Sequence, residues 1–288
     1  MFLLIKFLGE VMSDLKLTPF VKWAGGKKQL LDKLLEKMPS DYNTYYEPFI
    51  GGGAVLLGLQ PHSAVINDVN EQLLNVYHQI KSDEIALINK INELDSVVCD
   101  KDFYLSIRAK YNEKIQHSIF DTECAAYFIW INKHCFNGLY RVNSKGLFNV
   151  PYNNKQTGAS IDEDNILNIA NFLRSSNIKI QHGDFEQACA NVASGDFVYF
   201  DSPYVPASNT ANFTTYTKDG FSYKDHVRLA DLFKKLDGDN VKLMLSNHNV
   251  PLVHELYEGY NIEVVDVRRN INSKANKRVG KEVIITNY

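Results

Sequence analysis

Metal-ligand and disulfide patterns are missing from this 288-residue sequence. Its four cysteines, at 99, 124, 135 and 189, form no CxxC and no Cys/His ligand set, and the histidines group no better. A disulfide scaffold is also foreign to a chain of this length, so the cysteines read as buried free thiols. None of the eight prolines is followed by cysteine, which removes the Pro-Cys step that covalent attack on cytosine C6 would need. Charge of one sign is lacking too. Lys+Arg 31 against Asp+Glu 34 gives a formal charge of -3 and pI ≈ 6.2, excluding a uniformly basic nucleic-acid binder but not a local basic face. The apolar start MFLLIKFLGE has no basic leader and no small-residue cleavage site. It meets Glu10 and Asp14 too soon to span a membrane, so a cytoplasmic location is the default expectation. There is no long repeat and no low-complexity tract. The remainder, 45% hydrophobic and 23% charged in 32.8 kDa, is a soluble, folded composition long enough for one large or two modest domains.

Two stretches have α/β grammar. In GGKKQLLDKLLEKMP, Leu30, Leu31, Leu34, Leu35 and Met38 recur at helical spacing until Pro39 stops the run. TYYEPFI then reads as a strand entering the turn at Gly51–Gly53, with AVLLGL as the following helix. HSAVINDVNEQLLNVYHQI repeats strand, polar corner and helix, as a parallel sheet requires. Near residue 177 the grammar resumes. NIKIQHGDF, DFVYFDSPY, VKLMLSNHN, NIEVVDVRR and EVIITNY are short strand-like runs, and YKDHVRLADLFKKL is an amphipathic helix between the second and third of them.

Residues 76–175 break the alternation. They carry the helical runs DEIALINKINEL and DTECAAYFIWINKHCF, then FNGLYRVNSKGLFNVPYNNK, in which NSKG predicts a hairpin turn. The simplest account is a mostly helical insertion between the second and third strands. Residues 1–75 and 176–288 then form one domain, and 76–175 an inserted one.

Four corners carry chemistry. In Glu47-Pro-Phe-Ile-Gly51-Gly52-Gly53, glycines at a strand end let a ligand approach the backbone; a plain tight turn is the alternative. Asp68, at the tip of the second strand, can accept from a ribose diol, or it can cap a helix with Glu71 three residues on. In Lys22-Trp23-Ala24-Gly25-Gly26-Lys27 the P-loop spacing is absent. A lysine near a helix start is placed unfavourably for a cation, so Lys27 is expected to meet a carboxylate, unless it is a surface residue beside a core tryptophan. The sharpest signal is Phe200-Asp201-Ser202-Pro203-Tyr204. Pro203 keeps Ser202 out of the helical region, so its carbonyl stands beside the Asp201 carboxylate, with Tyr204 as a stacking surface. Two acceptors and a ring match the exocyclic amine and face of a planar base. An adenine N6 lone pair is delocalised into its ring, and acceptors on both N–H groups localise charge on that nitrogen.

Taken together, KWAGGK at 22–27, EPFIGGG at 47–53, NDVN at 67–70 and DSPY at 201–204 resemble the Dam-type DNA adenine-N6 methyltransferases, particularly the adenine methylases of type II restriction systems that protect GATC. The resemblance covers nearly the whole chain, including FNGLYRVNSKGLFNVPYN at 136–153, TTYTKDGFSYKDHVRLA at 214–230, LSN at 245–247 and the closing KEVIITNY. It implies a Rossmann-like α/β sheet that binds S-adenosyl-L-methionine, with the insertion recognising DNA. By the same resemblance, Trp23, Lys27, Phe49, Gly51 and Gly53 border the cofactor and Asp68 holds its ribose. Asp184 and Phe185 lie near its adenine. Asp201, Ser202, Pro203 and Tyr204 hold the flipped target base, with Asp201 also against the cofactor. Lys22 and Arg141 read guanine edges or nearby backbone. Serine at 202 departs from the family's usual proline; only the backbone carbonyl is needed there, so the expected cost is turn stiffness.

In the insertion, arginine offers a fork to guanine and asparagine one to adenine. Arg141, Asn137 and Asn143 lie around the hairpin with Phe136, Tyr140 and Lys145, although the aromatics could instead be its packing. A basic cluster of Arg268, Arg269, Lys274, Lys277, Arg278 and Lys281 could contact phosphates or form a solvated loop. Tyr216 and Phe221 could close over the extruded base or anchor their loop. His226 and His248 read as structural or surface histidines. The expected partner is double-stranded DNA, methylated by a monomer that acts opposite a cognate restriction endonuclease without a stable complex, with no metal and no membrane. An RNA adenine methylase would not need a hairpin for duplex edges. A non-enzymatic nucleotide-binding module would leave DSPY idle.

Overall fold

The computed structural model describes residues 16–155, 158–205, 220–268 and 279–288. The expected strand-like runs form seven strands: β1 (Tyr45–Glu47), β2 (Ser63–Asp68), β3 (Asn177–His182), β4 (Phe197–Phe200), β5 (Lys242–His248), β6 (Asn261–Arg268) and β7 (Val279–Thr286). They form one sheet in the order β3-β2-β1-β4-β5-β7-β6. Every neighbouring pair is parallel except the two that β7 makes, with β5 and with β6. The order reverses between β1 and β4, and in open α/β sheets the crevice outside the strand ends at such a reversal takes the ligand. This is the expected Rossmann-like architecture.

Helix α1 (Leu31–Lys37) ends where Met38 turns extended before Pro39, and α2 (Ala54–Leu59) follows the glycine turn. The span α3 (Glu71–Asp95) contains the two runs expected on either side of residue 80, which meet at a kink where Asp83 leaves helical geometry (φ -154, ψ 65) and accepts from the Ala86 N–H at 3.2 Å. The expected boundary between 75 and 76 falls inside it. Helices α4 (Lys101–Gln116), α5 (Thr122–His134) and α6 (Glu163–Ser175) complete the insertion, each started by an aspartate cap at 100, 121 or 162. Of these, α4 and α6 stand beyond the runs that periodicity indicated. In α4 the buried stripe is only Tyr104, Ile107 and Tyr111, too narrow to mark a helix by itself. After β3 come the short α7 (Phe185–Ala188), then α8 (Tyr223–Gly238) and α9 (Pro251–Leu256). A capping box between Ser222 and Asp225 starts α8, whose Leu229, Ala230, Phe233 and Leu236 are buried.

One apolar cluster joins a face of the sheet to the insertion, running from Ile66 and Tyr199 to Trp130 and Phe172. A second, built on Phe200, Leu245 and Phe233, fills the face under α8. The insertion therefore shares the core of the sheet. Cys124, Cys135 and Cys189 are buried free thiols, whereas Cys99 is only half-buried; burial pushes the three up to about 12. Among the described residues no helix is long and apolar enough to cross a membrane.

His226 is buried, with Phe221 edge-on at 4.7 Å, and burial pulls its imidazole down to about 4. A folded-state value below the unfolded one, about 6.5, gives stability that is complete above 6.5 and is lost as pH falls towards 4, on the order of 3 kcal/mol. Chemical denaturation between those limits should show that loss in the wild type and a flatter profile in His226→Gln. Equal slopes would refute the assignment.

Candidate functional site

The glycine turn after β1 is set by packing. Gly51 and Gly53 have φ +48° and +72°, and an added Cβ would lie 2.7 Å from Trp23 Cδ1 at Gly51 and would clash with the Tyr77 hydroxyl at Gly53. The Tyr77 hydroxyl donates to the Gly51 carbonyl at 3.0 Å. Asp68, ending β2, accepts from the Gly51 N–H at 3.0 Å and the Asn70 N–H at 2.9 Å, one on each oxygen. It does not cap α3; Asn70 does, accepting from the Leu73 N–H at 3.0 Å. Burial raises the Asp68 carboxyl against the pull of those amides. Beside it, buried Asn67 donates to the Pro48 and Gly183 carbonyls, both at 2.9 Å, binding the corners of β1, β2 and β3 together.

The corner of β4 is the most organised. Lys27, in a 3-10 turn over Lys27–Gln29, pairs with Asp201 Oδ1 and lies 4.6 Å from the centroid of the Tyr204 ring. A carboxylate is what the sequence led us to expect for Lys27, and the partner is the acid of DSPY. Ser246 on β5 donates to the same Oδ1 at 3.3 Å and shares a hydrogen bond of 2.8 Å with the Tyr199 hydroxyl. Tyr204 donates to Glu282 on β7 at 2.7 Å, and its ring meets His248 edge-on at 4.5 Å. Ser202 is fully buried, and its Oγ accepts from Asn247 Nδ2 at 3.3 Å. Asn247 Oδ1 also accepts from the Val205 and His248 N–H groups. The hydroxyl of this serine thus gains an anchor that proline lacks, offsetting the expected loss of turn stiffness.

Towards β3, Phe49, Phe185 and Phe221 gather with ring centroids 5.4–5.9 Å apart. Asp184 caps α7 through the Glu186 N–H at 2.9 Å and pairs with Arg228 of α8 at 2.9 Å. The guanidinium lies 4.8 Å over the Phe185 ring. Trp23 faces the insertion as well as the turn, stacked on Tyr140 at 5.4 Å and Phe128 at 6.2 Å.

The expected hairpin forms, with Val142 and Phe148 bridged across it. Asn143 shapes its turn by accepting from the Lys145 and Leu147 N–H groups. Arg141 is exposed, and its Nε donates to Asn149 at 2.8 Å. Tyr140 is buried as hairpin packing, whereas Phe136 is 52% exposed. Asn137 is exposed in a left-handed conformation (φ 59°). Lys145 is exposed, as is Lys22, whose backbone N–H and C=O are both held by buried Asn132; the same amide donates to the Gly138 carbonyl. That clasp joins Lys22 to the Phe136–Gly138 turn. Of the second basic cluster, residues 269–278 lie outside the described residues, as does Tyr216.

The chemistry of these groups suits S-adenosyl-L-methionine. The Asp68 carboxylate has lone pairs beyond the two it uses, enough for two hydroxyls, and an acid and three phenyl rings stand at the neighbouring corner. Sequence reasoning assigned no role to Glu282, Ser246, Asn247, Asn67 or Asn132. The first three lay within LSN and KEVIITNY, but which side chain each would meet was not written there.

A family model described as D12 class N6 adenine-specific DNA methyltransferase matches residues 23–271. The chain is 45% identical to the type II methyltransferase M1.LlaDCHI of Lactococcus lactis subsp. cremoris, over 96% of this chain and 97% of the relative. It is 41% identical to the type II methyltransferase M.MjaIII of Methanocaldococcus jannaschii, over 95% and 100%. With the DNA adenine methylase of Escherichia coli K12 the identity is 29%, over 93% and 94%.

Proposed function

The chain belongs to the D12 class of N6 adenine-specific DNA methyltransferases, and on that premise we propose that it methylates adenine in double-stranded GATC by direct transfer to a flipped base, protecting DNA from a cognate restriction endonuclease. The observation that carries the chemistry is the β4 corner, where a fixed carboxylate, buried Ser202 ahead of Pro203 and an anchored tyrosine ring come together. S-adenosyl-L-methionine, the cofactor of the family, supplies an electrophilic methyl on sulfur when bound. Asp68 holds its ribose hydroxyls. Phe49, Asp184 and Phe185 border its adenine, and Trp23, Gly51 and Gly53 border the turn beside it. Asp201 and the Ser202 carbonyl accept the two N6–H bonds of the target, and Tyr204 supports its face. Those two acceptors would keep the N6 lone pair aimed at that methyl, and the surplus N6 proton would leave along the hydrogen bond to Asp201. Extruding the base costs a few kcal/mol of stacking and pairing, which the pocket must repay.

Residues 76–175 supply the reading head in this proposal. Arg141, with Nε tied to Asn149, keeps its terminal nitrogens for a guanine edge, while Phe136, Asn137, Asn143, Lys145 and Lys22 lie beside it. The enzyme works as a cytoplasmic monomer, without a stable complex with the nuclease; the type II names of two relatives support the restriction role. DNA carrying the active protein should resist a nuclease that cuts only unmethylated GATC and yield to one that cuts only the methylated form. The opposite pattern overturns the target. Arg141→Ala should lose about 1–3 kcal/mol of discrimination at one base pair. Methylation rates on GATC duplexes and on duplexes altered at an outer pair measure this, and equal slowing of both would assign Arg141 to phosphate or structure.

A further inference from the structure

Lys27 stands with the groups proposed to hold the target base. It is 3% exposed. Its ammonium donates to the Gly25 carbonyl at 2.8 Å, pairs with Asp201 Oδ1, and faces the Tyr204 ring. The Ser246 hydroxyl reaches the same Oδ1. Among the described residues no hydrogen bond ends on Oδ2. The carboxylate is otherwise in acidic company: Glu282 from β7, Glu47 from β1, and the phenols of Tyr199 and Tyr204. Burial in such company favours the protonated acid, and a protonated Asp201 offers an O–H where the target amine needs an acceptor. An ammonium against one oxygen opposes both effects. It also fixes the rotation of the carboxylate, because its bond to Gly25 ties it to the backbone.

We propose that Lys27 is a positioning residue of the base pocket, which keeps the Asp201 carboxylate ionised and pins Oδ1 so that Oδ2 meets the N6 amine. This rests on the reading of Asp201 as the acceptor of that amine, and it adds to the contact with the cofactor that the family resemblance implies for Lys27. Burial indeed pushes the Asp201 carboxyl up, and Lys27 is the largest influence pulling it back.

The test is the single-turnover methyl-transfer rate from preformed complexes as a function of pH, with cofactor affinity by equilibrium dialysis on the same proteins. Lys27→Met should raise the acidic limb of the rate profile by roughly 1–3 pH units. At neutral pH and saturating cofactor the rate should fall on the order of tenfold. Lys27→Arg should return the limb towards wild type. Lys27→Gln, which keeps a hydrogen bond but no charge, serves as the second variant should Lys27→Met not fold, and its limb should rise likewise. A limb that stays in place while cofactor affinity drops overturns the proposal and makes Lys27 a cofactor residue. Asp201→Ala separates the two layers. If it transfers methyl at the wild-type rate, the reading of Asp201 fails; if it is inactive and the lysine variants leave the limb unmoved, only the role of Lys27 fails.

Discussion

Asp201→Ala should abolish methyl transfer, by at least roughly 10²–10³-fold, with the fold retained. The carboxylate ends β4 at the reversal of strand order and is held by Lys27 and Ser246. Its removal leaves the target amine one acceptor instead of two. It also leaves the buried Lys27 ammonium without its counter-charge, so the variant should lose some stability. Asp201→Asn should be severely impaired as well. The amide is a weaker acceptor, and it brings N–H donors to a place already facing the N–H groups of adenine and of lysine. Incorporation of labelled methyl into a GATC duplex, read against thermal denaturation, decides the matter. Activity of Asp201→Ala within tenfold of wild type would remove Asp201 from the chemistry.

Asp68→Ala should weaken cofactor binding about 100-fold, since a charged acceptor is worth about 1.5–3 kcal/mol per hydrogen bond. A mere strand-tip acceptor could be removed with little loss of fold. In the structure Asp68 also accepts from Gly51 and Asn70, so truncation leaves two backbone donors without their partner and should cost about 1–3 kcal/mol of stability. Asp68→Asn keeps one acceptor oxygen and should fall between wild type and alanine in both measurements. Calorimetric titration of the cofactor with parallel thermal melts checks this. Unchanged affinity in Asp68→Ala would remove the ribose assignment.

How the acids and glycines are placed was legible because each closes a run with a clear period. Alternating apolar residues end at Asp68, a continuous apolar run ends at Asp201, and the 51–53 glycines follow a strand and precede a helix. The reach of that logic is one element. It missed α4, where three aromatic and aliphatic residues bury a narrow stripe among charges, and α6 as well, whereas its division of α3 agrees with the kink at Asp83. It placed Lys27 near a carboxylate on electrostatic grounds, without the means to say whose. Arg141 and Asn143 looked alike as polar residues of one hairpin. In the structure one is exposed with its fork partly spare, and the other is spent on the turn.

By itself, then, the sequence determined the seven strands, the insertion between the second and third, and the acids at the strand tips. These follow from local periodicity and from turn chemistry, which act within a few residues. Only the tertiary structure decided that β7 runs antiparallel between β5 and β6, bringing Glu282 to the Tyr204 hydroxyl across 78 positions of chain. It alone joined Lys27 to Asp201, and Lys22 to the hairpin base through Asn132. Such pairings depend on which strand edges and helix faces meet once the apolar surfaces are buried. A hydrogen bond between residues so far apart in sequence is selected by that packing, because a buried polar group must find a partner wherever the fold has carried it.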